Sequence, residues 1–221
     1  MSLPMMTPGV AHLTKSMGCG AGIMLTASHN PYEDNGLKIF GPDGYKLSDE
    51  LELAIEREIL GEGKIPGVSP DKIGKATRID DARGRYIEYA KQSVGAGDLA
   101  GMKIVVDCGH GAAYLLAPLI FKELGAKVVK LGVEPDGLNI NEGCGALHPD
   151  HAGRVVREQG ADLGISFDGD ADRVGRARER GPRGLEGLHL RPQDELPVAQ
   201  DLADGLVQLG AEVPDLQGQV L

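Results

Sequence analysis

Apolar residues recur along this chain in two rhythms, and each change of rhythm marks an element. Val10, Leu13 and Met17 follow a helical spacing behind Pro8, which predicts a helix over 8–17. Short apolar runs at 22–26 and 37–40 read as strands, with Gly41-Pro42-Asp43-Gly44 as a turn after the second. Ser48 is placed as an N-cap, with Asp49 and Glu50 in the first turn and Leu51, Ile55 and Ile59 as an apolar stripe. The stretch 61–81 mixes Gly, Pro and charge without a period and reads as a linker. A short amphipathic helix is expected over 86–94.

From residue 103 the rhythm becomes regular. Strands are expected at 103–107 (KIVVD), 127–131 and 162–167 (DLGISF). Helices are expected between them at 112–124, closed by Gly125, and at 150–159. Strand and helix alternating in this way imply an α/β fold, layered, with a parallel sheet and right-handed crossovers. Ligands of such sheets sit beyond the carboxyl ends of the strands, where FDGDADR falls.

Composition narrows the functional classes. The 221 residues carry 23 Lys plus Arg against 33 Asp plus Glu, a formal charge of -10. That balance argues against nucleic acid as the main partner, which needs a basic surface. A local cationic pocket for a phosphorylated small molecule remains compatible with it. Cys19, Cys108 and Cys144 are widely spaced and form no CxxC pair, so reduced thiols are expected, and with them a cytoplasmic location. No apolar run reaches membrane-spanning length and the start lacks a signal-peptide pattern, so no membrane partner is expected.

Two loops carry candidate chemistry. Asp168, Asp170 and Asp172 alternate with Gly169 and Ala171, and Arg173 follows. Carboxylates this close repel one another unless a cation joins them, and oxygen-only ligands fit Mg²⁺ or Ca²⁺. A calcium EF-hand also begins D-x-D-x-D, with Glu179 at the twelfth position, but Arg173 stands where that loop turns on Gly. A solvated acidic turn is the plain alternative. The other loop is Ser28-His29-Asn30-Pro31, with Lys38 on the next strand. A serine hydroxyl needs activation, Lys38 could neutralise a phosphate, and His29, pointing away on an extended chain, need not be the base. Ser-His-Asn-Pro is equally good turn material. DCGHGA (107–112) joins a strand to a helix N-terminus, either as an anion site or for close backbone packing.

Together, TASHNPYEDNGLKIF and FDGDADR, about 140 residues apart, resemble the active-site serine loop and the magnesium loop of the α-D-phosphohexomutases. FGPDGYKLSDELE and EPDGLNINEGCGALHP further resemble the bacterial glucosamine-phosphate branch of that family. The resemblance spans residues 4–174. It implies layered α/β domains: a partial first domain at 1–80 with the phosphoserine loop, and a second at 81–173 with the metal loop. It implies phosphoryl exchange between glucosamine 6-phosphate and glucosamine 1-phosphate through a bisphosphate. Phosphorylated Ser28 and one Mg²⁺ per chain are the implied cofactors, with Ser28, Asp168, Asp170 and Asp172 as ligands. Lys38 matches the family's lysine of proton transfer, Arg173 the arginine after the ligands, and His29 and Asn30 the serine's loop neighbours. The implied partner is a phosphosugar, and homo-oligomers are compatible with it. Mannose or glucose phosphates, or a non-catalytic module that binds Mg²⁺ or a phosphosugar, are the alternatives.

Family members are about twice as long and have four domains, so the expected activity of this stretch alone is low. A partial first sheet is also expected to leave apolar faces uncovered. From Val174 to Leu221 only Val, Ala, Asp, Glu, Gly, Leu, Pro, His, Gln and Arg occur, all encodable by codons beginning with G or C. That bias points to a reading-frame shift in a GC-rich gene just after Arg173 or Val174; a natural biased tail, with a helix over 197–209, is the alternative.

Overall fold

A computed structural model describes residues 4–61, 67–93 and 99–177. The expected tail helix at 197–209, and Glu179, lie outside the described residues.

The first unit is built on a two-stranded antiparallel pair, β1 (Gly22–Thr26) and β2 (Gly36–Phe40), with Met24 opposite Lys38. Helix α1 (Thr7–Ser16) starts on Pro8, whose fixed φ and missing N–H suit a first turn. It lies so close to β1 that a Cβ on Gly22 would fall 2.0 Å from Thr14 Oγ1. Helix α2 (Asp49–Leu60) begins as expected, with Ser48 Oγ accepting from the Leu51 N–H at 3.5 Å. Its apolar stripe is left largely open among the described residues: none of its residues is buried, Ile55 is half-buried, and Leu51 and Ile59 are exposed. Ile23, Leu25 and Leu37 are likewise 64%, 74% and 60% exposed on the hairpin.

The expected linker has one 3-10 turn, Pro70–Lys72, among its described residues. Helix α3 (Ala82–Ser93) starts earlier than the periodicity predicts. The Asp81 carboxylate accepts from Arg85 Nε at 2.8 Å one turn on, a charged contact that apolar spacing does not register. Helix α3 buries Tyr86, Ile87 and Ala90 and packs against α1, where the His12 ring stacks on Tyr89 at 3.8 Å.

The second unit is a four-stranded sheet in the order β4-β3-β5-β6. Strands β3 (Lys103–Asp107), β4 (Lys127–Leu131) and β5 (Leu163–Phe167) are parallel, as expected. Strand β6 (Val174–Ala177) is antiparallel to β5. It lies in the stretch assigned to the tail, so the sheet runs four residues past the expected boundary; composition changes at Val174, whereas pairing is a backbone property. The helix expected over 112–124 is split into a 3-10 turn, Ala112–Tyr114, and α4 (Leu116–Glu123). Pro118 explains the break, because its ring clashes with the carbonyl four residues back, that of Tyr114. Helix α5 (Pro149–Gln159) closes on Gly160 in the left-handed conformation.

Alternation along β3 divides the core into two faces. Ile104 and Val106 pack with α3, α4 and with Ile165 and Phe167 of β5. Val105 faces Ala152 and Val156 of α5. The sheet is thus the middle of three layers, and β5, buried at every residue, is its centre.

Urea unfolding should separate the two surfaces. Ile165→Ala, fully buried in β5, is expected to lower stability by about 2–5 kcal/mol. Leu25→Ala on the exposed hairpin face is expected to stay within about 0.5 kcal/mol of the parent chain.

Candidate active site

Strand β1 ends at Thr26, and two residues later Ser28 takes a left-handed backbone, φ +51°. An L-residue there carries a strain of roughly 1–2 kcal/mol. Local bonds hold the turn: the Ser28 N–H donates to Thr26 Oγ1 at 2.8 Å, and the Asn30 N–H donates to the Ala27 carbonyl at 2.8 Å.

The acidic loop leaves the carboxyl end of β5. The Arg173 N–H donates to Asp168 Oδ1 at 3.1 Å, and the Ala171 N–H to the Asp168 carbonyl at 3.0 Å, so the loop folds back on its first residue. Ala171 reaches φ +59° to do so. One carboxylate oxygen from each of Asp168, Asp170 and Asp172 then lies within 4.8 Å of the others. All three side chains are nearly out of solvent. Burial first, then the Asp172 and Asp170 carboxylates, push Asp168 up to about 8.

Lys38 reaches the cluster from β2. Its Nζ lies 2.7 Å from Asp170 Oδ2, 2.5 Å from Asp172 Oδ2 and 3.4 Å from Ser28 Oγ. Burial works against its charge, but the Asp170 and Asp172 carboxylates outweigh it and hold the ammonium above its ordinary range. Ser28 Oγ in turn lies 3.4 Å from Asp168 Oδ2. Residues far apart in the chain thus meet within hydrogen-bonding reach: the serine, the lysine and three carboxylates. His29 faces the same charges; burial first, then Arg173, lower its imidazole, and its Nδ1 is buried without a hydrogen-bond partner. No hydrogen bond joins its ring to Ser28 among the described contacts. Asn30 enters through its backbone carbonyl, which accepts from Asn141 Nδ2 at 3.0 Å.

The residues fit a hard divalent cation. The donor set is all oxygen, and Asp170 Oδ1 is buried without a hydrogen-bond partner, as suits an atom reserved for a metal.

The DCGHGA turn serves packing rather than an anion. The N–H groups of His110, Gly111 and Ala112 donate to the carbonyls of Gly132, Cys108 and Gly169 at 2.7, 2.8 and 2.7 Å. Gly111 is so close beneath the acidic loop that a Cβ would fall 2.2 Å from the Gly169 carbonyl oxygen. Gly169 in turn faces the Ser28 carbonyl oxygen, 2.4 Å from where its own Cβ would stand.

Sequence reasoning missed two contributors. Thr7, at the start of α1, donates through Oγ1 to Asp170 Oδ2 at 2.5 Å and through its N–H to the Asp170 carbonyl at 2.9 Å. Thr before Pro at a helix start was the available signal. Asn141 donates to the Ser28 carbonyl at 2.8 Å, and its place before a Glu-Gly pair in an irregular segment gave little to find it by.

The family description "Phosphoglucomutase/phosphomannomutase, alpha/beta/alpha domain I" matches residues 1–65, and domain II of the same family matches residues 84–181. The phosphoglucosamine mutase of Paracoccus denitrificans is 56% identical over 179 residues, covering 80% of this chain and 40% of the relative. That of Polynucleobacter asymbioticus is 52% identical over 202 residues, covering 90% and 45%. The chain therefore spans less than half the length of these relatives. A crystal structure of a phosphoglucomutase/phosphomannomutase family protein from Burkholderia thailandensis superposes with a TM-score of 0.60 at 28% identity, covering 79% of this chain and 38% of that one. With the acidic loop and the serine turn brought together inside the two matched domains, the chain belongs to the phosphoglucomutase/phosphomannomutase family.

Proposed function

We propose that this chain carries the phosphoryl-transfer half of a phosphoglucosamine mutase site, with Ser28 as the residue that holds and returns the phosphoryl group. One observation carries the reading: Ser28 Oγ lies between Lys38 Nζ and the Asp168 carboxylate, 3.4 Å from each. The choice of glucosamine phosphate follows the relatives, which at 52–58% identity bear that name.

Phosphoryl transfer asks for positioning and charge neutralisation more than covalent skill. Asp168, Asp170 and Asp172, with the phosphorylated Ser28, would hold Mg²⁺, which supplies positive charge against the phosphoryl oxygens. In the forward half, the bond from phosphorus to Ser28 Oγ breaks as a sugar hydroxyl oxygen takes the phosphoryl group. Ser28 Oγ then needs a proton, and the Lys38 ammonium, kept charged by its carboxylate neighbours, is placed to give it. The sugar hydroxyl loses its proton to a base, and His29, kept neutral, is the uncharged base in the loop. After the bisphosphate turns over, the reverse steps return its other phosphoryl group to Ser28. Arg173 adds positive charge beside His29. The reading gives the chain a phosphosugar partner and a cytoplasmic location, consistent with its three free cysteines. No helix among the described residues is long and apolar enough to cross a membrane.

Three measurements test it. Incubation with Mg²⁺ and glucose 1,6-bisphosphate should phosphorylate the chain once, at Ser28, by intact mass and peptide mapping; Ser28→Ala should take up none, and equal uptake by both would refute the role. Calorimetric titration should show Asp170→Asn binding Mg²⁺ at least about tenfold more weakly. Lys38→Met should slow phosphoryl uptake by roughly 10²–10³-fold while still binding Mg²⁺.

A further inference from the structure

Asn141 stands outside the reacting groups, yet it touches the serine turn twice. Its Nδ2 donates to the carbonyl of Ser28 at 2.8 Å and to the carbonyl of Asn30 at 3.0 Å. Its own N–H donates to the Gly109 carbonyl at 2.8 Å, which roots it in the turn after β3. The residue therefore bridges the second unit, where it is anchored, to the first, where its side chain ends.

The chemistry of the position is specific. Two carbonyl oxygens face one side-chain nitrogen, and carbonyls only accept, so the amide must present its NH₂ group to both. The amide oxygen, on the other side, is buried without a partner. A carboxylate of the same shape would set negative charge against two acceptors. The backbone of Asn141 is left-handed, φ +60°, a conformation that Asn tolerates better than most residues. Shape, donor count and backbone together ask for asparagine.

The turn it holds is itself strained. Ser28 sits at φ +51°, and such a conformation persists only where the surroundings over-determine it. Thr26 fixes the Ser28 N–H from within the turn, and Asn141 fixes the Ser28 carbonyl from across the interface. Gly169 of the acidic loop closes on that same carbonyl from another side. Peptide planes on both sides of Ser28 are thereby held, and with them the direction of its Oγ.

We infer that Asn141 is a positioning residue: its amide straps the serine turn to the sheet carrying the acidic loop, and so sets Ser28 Oγ against the carboxylates. The inference rests on the proposed role of Ser28 for its catalytic consequence, but not for the strap itself.

Two variants of the full 221-residue chain test it. Asn141→Asp keeps the shape and removes the donors, whereas Asn141→Gly keeps the left-handed backbone and removes the side chain. Amide hydrogen exchange should speed up by roughly tenfold or more at Ser28 and Asn30 in both variants, with β3 and β5 unchanged. With glucose 1,6-bisphosphate and Mg²⁺ as probes, phosphorylation of Ser28 should slow on the order of 10²-fold, while calorimetry of the unphosphorylated chain, in which the three carboxylates alone hold the ion, should give Mg²⁺ affinity within about twofold of the parent. Exchange that quickens in β3 and β5 rather than in the turn, or that does not change, overturns the strap. Phosphorylation at the parent rate with a loosened turn overturns its catalytic consequence. A parent chain that takes up no phosphate refutes the phosphoserine reading instead, and the exchange result still decides the strap.

Discussion

Mutual repulsion among Asp168, Asp170 and Asp172 is the constraint around which the described structure is organised. Buried carboxylates within 4.8 Å of one another are unfavourable in the charged form unless positive charge and donors converge on them. The chain brings those groups from its other unit: Lys38 from β2 and Thr7 from the start of α1. The contact between the units therefore combines these charged and hydrogen-bonded groups with apolar packing, in which buried Met6 joins the core of the second unit. It joins the serine turn and the acidic loop by the same stroke that relieves the acidic loop.

Close backbone packing does the complementary work. Gly111 lies against Gly169, and Gly169 against the carbonyl of Ser28, with no room for a side chain at either step. The turn after β3, the acidic loop after β5 and the serine turn after β1 are stacked main chain on main chain. Such a stack transmits position with little slack, because peptide groups have no rotamers to absorb a shift. It also explains why the strand-to-helix turn at 107–112 keeps its N–H groups for carbonyls and for the Asp107 carboxylate rather than for a ligand.

Much of this was legible in the residues. The short, largely apolar runs at β3 and β5 and their alternation with helices located the sheet, because strands buried on both faces read as short apolar runs. Asp168, Asp170, Asp172 and Ser28 stood out through the resemblance of their two loops taken together, since each loop alone was equally good turn material. What escaped was carried by groups that leave no side-chain pattern. Strand β6 was hidden by Gly175 and Arg176, whose place in the sheet depends on backbone pairing with β5. The split before α4 depended on where the ring of Pro118 points, and the start of α3 on one Asp81–Arg85 contact. Asn141 was hidden because its partners are carbonyls far away in the chain, which any sequence supplies. The stripe on α2 misled in the other direction: amphipathic spacing announces a face, not the surface that covers it.

The left-handed turn at Ser28 sets two demands against each other at a single position. For folding alone glycine would be the better residue there, since it adopts that backbone without penalty. A glycine has no hydroxyl, so a lineage drifting toward a sturdier protein would lose, by the shortest route open to it, the oxygen proposed to carry the phosphoryl group.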